Sequence, residues 1–326
     1  MKRREFIAGV AAWSATSAVQ AQSNRLPTIG FLGLSSAEGD GPTLIAFRRG
    51  LSEAGRTEGS NVRIESRHAD GDASRINTLI ADLSAVPVDV FLAPGQAVAR
   101  ALRRSTPTPI VAIGLPPVQS DPELFESLAR PGGTLTGFAS FGEEMSAKRI
   151  EFLKEIDPNV SIIGILHNAT DSTFNAWGER SEASARAQGL KPRRIGLSST
   201  SVAELRDRLR AFRADGGTAL IVVRDFLTST LRLEICRVAL ELGIAIIAEQ
   251  REFADAGALF TYGANIPDLF RRAAGYVDRI LKGDKVSELP IQLPTTFELV
   301  VNLRTAKLLR HEVPPLLLAR ADEVIE

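Results

Sequence analysis

Polar side chains recur at the points where predicted strands end, and their types suit the binding of a small molecule. In the first half of the chain they follow the first, third and fourth strands: Ser35, Ser36, Gly95, Gln96 and Gly114. In the second half they follow three further strands: His167, Asn168, Thr170, Asp171, Arg224, Asp225 and Glu249. Open α/β sheets bind ligands at the carboxyl ends of their strands. The shared location therefore predicts ligand contacts from both halves of the chain.

The chemistry of these residues suits a carboxylate or an amino acid. Serine hydroxyls and the N–H groups of helix N-termini can hold a carboxylate. An ammonium group needs an acceptor such as Asp225, Asp171 or Glu249. Each residue is individually also a common helix cap or turn residue, because Ser, Thr, Asn and Asp bond their own neighbouring backbone. The alternative for Arg224 and Asp225 is a solvated pair in which Asp225 caps the next helix.

Motifs of the common enzyme classes are missing from the sequence. It contains no GxxxxGK[ST], GxGxxG, GxSxG or HExxH, which argues against phosphate cradles, dinucleotide binding, a serine elbow and a zinc-protease helix. The only cysteine, Cys236, excludes a disulfide within the chain, and the three histidines lie far apart in sequence. His167 could join Asp171 and a serine in a hydrolase triad, but no nucleophile lies on a strained turn. We expect no catalysis, no cofactor and no metal.

Composition and charge exclude another class of partner and indicate export. The 326 residues carry 39 basic and 39 acidic side chains, so the basic surplus of a nucleic-acid-binding protein is missing. Residues 1–21 combine Lys2, Arg3 and Arg4 with an apolar run and with Val19 and Ala21 at the two positions that a signal peptidase reads. That pattern is typical of a signal peptide cleaved after about Ala21, and the paired arginines also suit a twin-arginine signal. A periplasmic location is the expectation.

The elements that must position the polar residues alternate between strands and helices. Buried runs such as 29–32, 88–92 and 110–113 are separated by helical patterns, and the same alternation starts again at 160–166. Strands that alternate with helices of ten or more residues imply parallel sheets covered on both faces. The sequence therefore predicts an α/β protein with two doubly wound parallel-sheet lobes in tandem. The prolines of 289–294 make that segment extended, as a crossing strand would be.

Several motifs resemble one family of transport proteins. They are spread over nearly the whole chain: 3–7, 29–32, 46–51, 69–72, 128–133, 251–253, 297–303 and 317–326. The turn at 129–133 and the closing LLARADEVIE are the most specific, and together the motifs resemble the ABC transporter substrate-binding proteins of the tryptophan/tyrosine type. This resemblance implies a type I periplasmic-binding-protein fold, in which three crossing segments join two lobes that close on a small ligand. It also implies delivery of that ligand to a membrane permease.

The resemblance also implies how the chain divides between the lobes, and it leaves the ligand open. Lobe one is expected to comprise 22–138 and 264–287, and lobe two 139–263 and 288–326. The loops at 93–96 and 114–117 and the turn at 168–169 depart from the family's usual sequences, so the resemblance does not fix the ligand. The polar residues at the strand ends lead us to expect an amino acid or another small carboxylate. Phe226, Phe253 and Tyr262 are either cleft walls or core residues. The alternative functions are a ligand-sensing subunit of a receptor and an exported hydrolase.

Overall fold

The computed structural model of the chain describes residues 25–326 apart from 117, 119, 120, 141, 142 and 171. The predicted signal peptide, residues 1–21, lies outside the described residues, as does Asp171. The described chain forms two α/β lobes, each built on its own sheet. This confirms the predicted fold class.

The sheet of the first lobe is parallel throughout and has the strand order β2-β1-β3-β4-β5. Its strands are β1 (Thr28–Gly33), β2 (Arg63–His68), β3 (Val90–Pro94), β4 (Ile110–Leu115) and β5 (Leu135–Ala139). Helices α1 (Ala37–Glu53), α2 (Ile76–Ser84) and α3 (Gln96–Ser105) connect them. Strand β1 is buried along its whole length, as expected for a strand covered on both faces. The order reverses between β1 and β3, the place where such sheets bind ligands.

The sheet of the second lobe has seven strands in the order β12-β11-β10-β9-β8-β6-β7. They are β6 (Ile162–Asn168), β7 (Lys191–Leu197), β8 (Ala219–Val222), β9 (Ala245–Ala248), β10 (Phe260–Ala264), β11 (Phe297–Asn302) and β12 (Glu323–Ile325). Its helices are α4 (Glu143–Ile156), α5 (Ser172–Ala187), α6 (Val202–Ala214), α7 (Phe226–Thr230), α8 (Arg232–Glu241), α9 (Glu252–Ala256), α11 (Leu303–Leu309) and α12 (Pro315–Leu318). Strands β10 and β11 pair antiparallel, and between them the chain leaves this sheet and returns to it.

Helix α10 (Ile266–Leu281) forms that excursion and packs on the first lobe. Its apolar face, including Phe270 and Val277, shares a core with Phe47 of α1. The two helices approach closely at Gly50, where an added Cβ would lie 2.0 Å from the carbonyl oxygen of Arg271. The lobe boundaries stay a prediction, and the packing of α10 supports placing 266–281 with lobe one.

The segment that returns from α10 first extends the sheet of lobe one. Gln292 accepts a backbone hydrogen bond from Ala139 at 2.9 Å and donates one to Gly137 at 3.0 Å. The Thr136 hydroxyl donates to the carbonyl of Leu289 at 2.7 Å. Leu289 is buried in the first-lobe core. These contacts place 289–292 beside the first sheet, and the boundary at 287–288 stays a prediction.

Candidate functional site

A cavity of about 310 Å³ lies at the carboxyl edge of the second sheet, under the first half of α4 and along α5. Its floor is the end of β8, from Ile221 to Val223, together with Ala264 at the end of β10. Its polar lining comes from both helices, from the residue after β9 and from the residue after β5: Ser146, Arg149, Arg180, Ser181, Ser184, Glu249 and Ser140. Met145 and Trp177 add apolar walls. The lining is that of a small amphipathic ligand site.

Two arginines share one carboxylate in this cavity. Arg149 Nη2 lies 3.3 Å from Glu249 Oε2, and Arg224 Nε lies 3.7 Å from Glu249 Oε1. The side chains of Arg149, Glu249 and Arg224 are 7%, 12% and 19% exposed. Burial lowers the pKa of the Arg149 guanidinium, the negative charge of Glu249 opposes that shift, and the positive charge of Arg224 adds to it. Arginine nevertheless stays charged in proteins, so the cluster holds two cations and one anion.

The backbone of the second lobe fixes these three side chains. Glu249 follows the fully buried strand β9, and Arg224 comes two residues after β8. Arg149 lies on the second turn of α4 and donates from Nε to the carbonyl of Tyr262 at 2.7 Å. It is one turn before the buried Leu153, on the face that α4 turns to the core.

Arg224 also reaches across to the first lobe. Its Nη2 donates to the hydroxyl of Ser140, the residue that follows β5. A Cβ added to Gly114 of β4 would lie 3.5 Å from the same nitrogen. Gly114 has a φ of +82°, a left-handed conformation that glycine adopts without strain. Of the predicted site residues, Gly114, Arg224 and Glu249 are therefore brought together.

The other predicted residues of the first lobe lie apart from the described lining of the cavity. Ser35 and Ser36 are exposed after β1, and the Ser36 hydroxyl caps α1 by accepting from Gly39 N at 3.2 Å. Gly95, with a φ of +85°, precedes α3, and Gln96 Nε2 donates to Asp121 Oδ2 at 2.8 Å. These four residues follow β1 and β3, the pair of strands at which the order reverses. Their contact with a ligand stays a prediction.

His167, Asn168 and Thr170 make local contacts within the second lobe. The His167 ring is buried against Gly178 of α5 and Gly196 of β7. Asn168 Oδ1 accepts from the Thr170 backbone at 2.9 Å and from its hydroxyl at 2.7 Å, which makes a side-chain turn. The packing of His167 is that of a core residue between sheet and helix.

Asp225 occupies the cap position that the alternative interpretation gave it. Its Oδ1 accepts from Thr228 N at 2.7 Å and from the Thr228 hydroxyl at 2.9 Å, at the start of α7. Thr228 in turn accepts from the backbone N–H of Asp225 at 3.1 Å, which completes a capping box. Among the described lining residues, Glu249 is the acid of the cavity. An ammonium group in this cavity would therefore meet Glu249 rather than Asp225.

Sequence reasoning missed the residues that helices contribute, above all Arg149 and Trp177. A signal was present for Arg149, because it stands at helical spacing from Met145, Leu153 and Ile156. A cation on the apolar face of a helix is rarely buried unless it is paired. Among the residues that the structure describes, no three His, Cys, Asp or Glu side chains converge as a metal site requires, and no helix is long and apolar enough to span a membrane.

Comparisons with known proteins agree with this architecture. A family model described as ABC transporter substrate binding protein matches residues 38–325. A tyrosine-binding protein of Clostridioides difficile is 23% identical over 266 residues, which are 81% of this chain and 75% of that protein. Two solved structures each match with a TM-score of 0.84 at 22% identity, over 92% of this chain and 100% of theirs. One is a conserved domain protein from Vibrio cholerae, and the other is an ABC domain from Streptococcus pneumoniae in complex with L-Trp.

Proposed function

Because the chain belongs to the ABC transporter substrate binding protein family, we propose that it is an exported solute-binding protein of an ABC importer. It captures an amino acid or another small carboxylate between its two lobes and delivers it to a membrane permease. It performs no chemistry on the ligand. In this proposal Arg149, Arg224 and Glu249 contact the ligand from the second lobe and Gly114 from the first. Ser140 contacts it from the start of the first crossing, where its backbone N–H donates to Leu115 of the first sheet.

The observation that carries the proposal is the position of Arg224. Its guanidinium lines the second-lobe cluster with Glu249 and also bonds to Ser140, next to Gly114 of the first lobe. A ligand that contacts this group would contact both lobes at once. Ligands shift a conformational equilibrium by binding one state more tightly than the other. Contacts from both lobes supply that difference for the closed state.

Closure needs segments that bend, and the chain crosses between the lobes after β5, after β10 and after Gln292. The last crossing is tied to α10 by a polar network. Arg272 donates to the Gln292 side chain, and Gln292 Nε2 donates to the Tyr276 hydroxyl at 2.9 Å. Tyr276 donates to the carbonyl of Pro290 at 2.7 Å. This network holds one end of the crossing, so that the residues beyond it form the hinge.

A thermal-shift screen of amino acids, aromatic acids and small amides tests ligand capture. A ligand present at about 100 times its dissociation constant adds about 2.7 kcal/mol to the free energy of unfolding. Small-angle scattering of the wild type with any stabilising compound should then show a smaller radius of gyration. An unchanged radius with every compound that binds would refute closure.

Delivery and export have separate tests. The liganded protein should stimulate the ATPase activity of its reconstituted permease, whereas stimulation of a membrane receptor instead would favour a sensing role. For export, Arg3→Lys combined with Arg4→Lys should leave the precursor in the cytoplasm if the signal is of the twin-arginine type. Undiminished secretion would indicate the general secretory route to the same periplasmic destination.

A further inference from the structure

The charges of the described residues at this cavity do not balance. Among the lining residues that the structure describes, two are arginines, Arg149 and Arg180, and one is an acid, Glu249. Arg224 approaches the same acid from outside this lining, with its Nε 3.7 Å from Glu249 Oε1. Arg149, Arg224 and Glu249 form one cluster through their ion pairs, and their formal charges sum to one positive charge. All three side chains are largely buried. A buried charge is costly unless it is paired and hydrogen-bonded.

A ligand carboxylate would correct this imbalance. A guanidinium presents its N–H groups in a planar fork that matches a carboxylate in two parallel bonds. The Nε of Arg149 donates to the carbonyl of Tyr262, and its Nη2 lies 3.3 Å from Glu249 Oε2, which is long for a charge-assisted hydrogen bond. The lowered pKa of Arg149 has the direction expected of a cation whose burial exceeds its compensation.

A ligand ammonium group would increase the repulsion among the positive charges of the cluster. The acid of the described lining, Glu249, already faces one guanidinium with each carboxylate oxygen. An ammonium group that took this acceptor would lie beside two guanidinium groups, and like charges within such a distance repel strongly in a poorly hydrated site. A zwitterion would also leave the net positive charge of the cluster unchanged. An anion without an amino group removes it.

The rest of the cavity limits the body of the ligand. Its volume of about 310 Å³ lies at the lower end of the range for small-molecule pockets, about 300–1,000 Å³. Trp177, Met145 and the end of β8 offer flat or apolar walls. The serines at 146, 181 and 184 add hydroxyls along one side.

Resting on the proposed function, we infer that the ligand is a small carboxylate anion that carries an aromatic or branched apolar group and has no ammonium group. Arg149 and Arg224 bind its carboxylate. Glu249 holds the two guanidinium groups together and does not receive an amino group. The specificity is therefore for the deaminated acid over the corresponding amino acid.

Calorimetry with matched pairs of probes tests this specificity. The pairs are 3-phenylpropionate with L-phenylalanine, indole-3-propionate with L-tryptophan, and 4-methylpentanoate with L-leucine. For any pair that binds, the acid should bind at least about tenfold more tightly than the amino acid, since the ammonium costs one repulsive contact. An amino acid that binds as tightly as its acid, or more tightly, overturns the inference. So does binding of neutral amides alone.

The Glu249→Gln variant distinguishes the two ligand classes, because only the affinity for an amino acid should fall. Removing this carboxylate increases the positive charge of the cluster, so affinity for the acid should hold or rise. An amino acid that used Glu249 as its ammonium partner would instead bind more weakly. A loss of acid affinity in a variant that retains its native circular dichroism and melting behaviour would contradict the inference.

Arginine variants test the carboxylate contact itself. Arg224→Lys keeps the charge and loses the fork, and should weaken the acid about tenfold. Arg149→Gln should weaken it further, and its folding is checked by its melting curve because the residue is buried. Arg49→Gln, at a largely exposed position on α1, is the matched control and should leave affinity unchanged. Unchanged affinity in both cavity variants would overturn the inference.

The two levels of the proposal fail separately. If an amino acid binds preferentially, closes the lobes and stimulates the permease, the inference about the ligand class is wrong and the transport function stands. If a deaminated acid binds preferentially but neither reduces the radius of gyration nor stimulates the permease, the ligand class stands and the transport function fails.

Discussion

The close contact between α1 and α10 makes a quantitative prediction about Gly50→Ala. An added Cβ at Gly50 would lie 2.0 Å from the carbonyl oxygen of Arg271 and 2.8 Å from its carbonyl carbon, more than an ångström inside a normal contact for the oxygen. The obstacle is backbone and cannot rotate away, so the helices must separate. Overpacking of this kind costs about 3 kcal/mol, and the better helix propensity of alanine returns about 1 kcal/mol. The net expectation is a loss of about 2 kcal/mol in the free energy of unfolding.

Gly275→Ala is the matched control, because it adds the same methyl group to α10. Its Cβ would meet nothing within 4 Å, and the residue is exposed in the helix interior. It should stabilise the protein by about 0.5–1 kcal/mol. Urea unfolding followed by circular dichroism should therefore separate the two variants by about 3 kcal/mol. Equal stability of the two variants would refute the packing of α10 on α1 and with it the assignment of 266–281 to lobe one.

Three further predictions concern groups outside the cavity. Burial raises the pKa of the Cys236 thiol to about 12, so Ellman's reagent should label it only in denaturant, and rapid labelling of the folded protein would contradict its burial. Burial raises the pKa of Asp278, but its bonds to Lys282 and Arg56 outweigh this and lower the pKa overall. Its contribution to stability is therefore complete above the unfolded pKa of about 4 and is lost as the pH falls through the lower folded pKa. Asp278→Asn should cost about 1–3 kcal/mol in the free energy of unfolding at neutral pH, and progressively less as the pH is lowered in an acid denaturation series. Asp225→Ala removes the cap of α7 and should cost about 1 kcal/mol of stability while shifting the affinities for an acid and its amino acid alike, as measured by calorimetry.

The sequence predicts the fold well because its main signal is physical and local. Strands covered on both faces need continuous apolar runs, and 29–32 and 219–223 are such runs in β1 and β8. The alternation of these runs with helical patterns leaves few topologies, since parallel strands need crossover connections. The antiparallel pairing of β10 with β11 could not be derived in this way, because it depends on where the chain returns from α10.

Capping shows the limit of local patterns. The sequence Ser201 to Glu204 predicts a capping box, and the Ser201 hydroxyl does accept from Glu204 N at 3.3 Å. The Glu204 carboxylate, however, accepts from the backbone of Ser198 at 3.1 Å and from two serine hydroxyls, so the reciprocal half of the box is absent there. The loop before α6 brings stronger donors to it. A complete box forms instead at Asp225 and Thr228, although the sequence also predicts Asp225 as a ligand contact.

The candidate site is harder to predict because side-chain direction decides it. Strand ends correctly single out Arg224 and Glu249 as neighbours, since β8 and β9 are adjacent in the sheet. The same reasoning cannot tell that Asp225, one residue after Arg224, turns into its own helix. It also passes over Arg149, which lies on a helix and reaches the cluster from above the sheet.

The charged groups of the candidate site belong to the second lobe, and this bears on how ligand binding would lead to closure in the proposed function. The second lobe holds the buried cations, so under the proposed function the electrostatic part of ligand affinity is available before the lobes close. At the edge of the first sheet, the hydroxyl of Ser140 accepts from Arg224, and Gly114 leaves room beside the same guanidinium. Neutralising Arg224 with a carboxylate weakens the penalty for covering it, because a paired guanidinium loses less hydration on burial than an unpaired one. Under the proposed function, binding of an anion to the second lobe should therefore favour closure through Arg224, the residue that contacts both sides of the cleft.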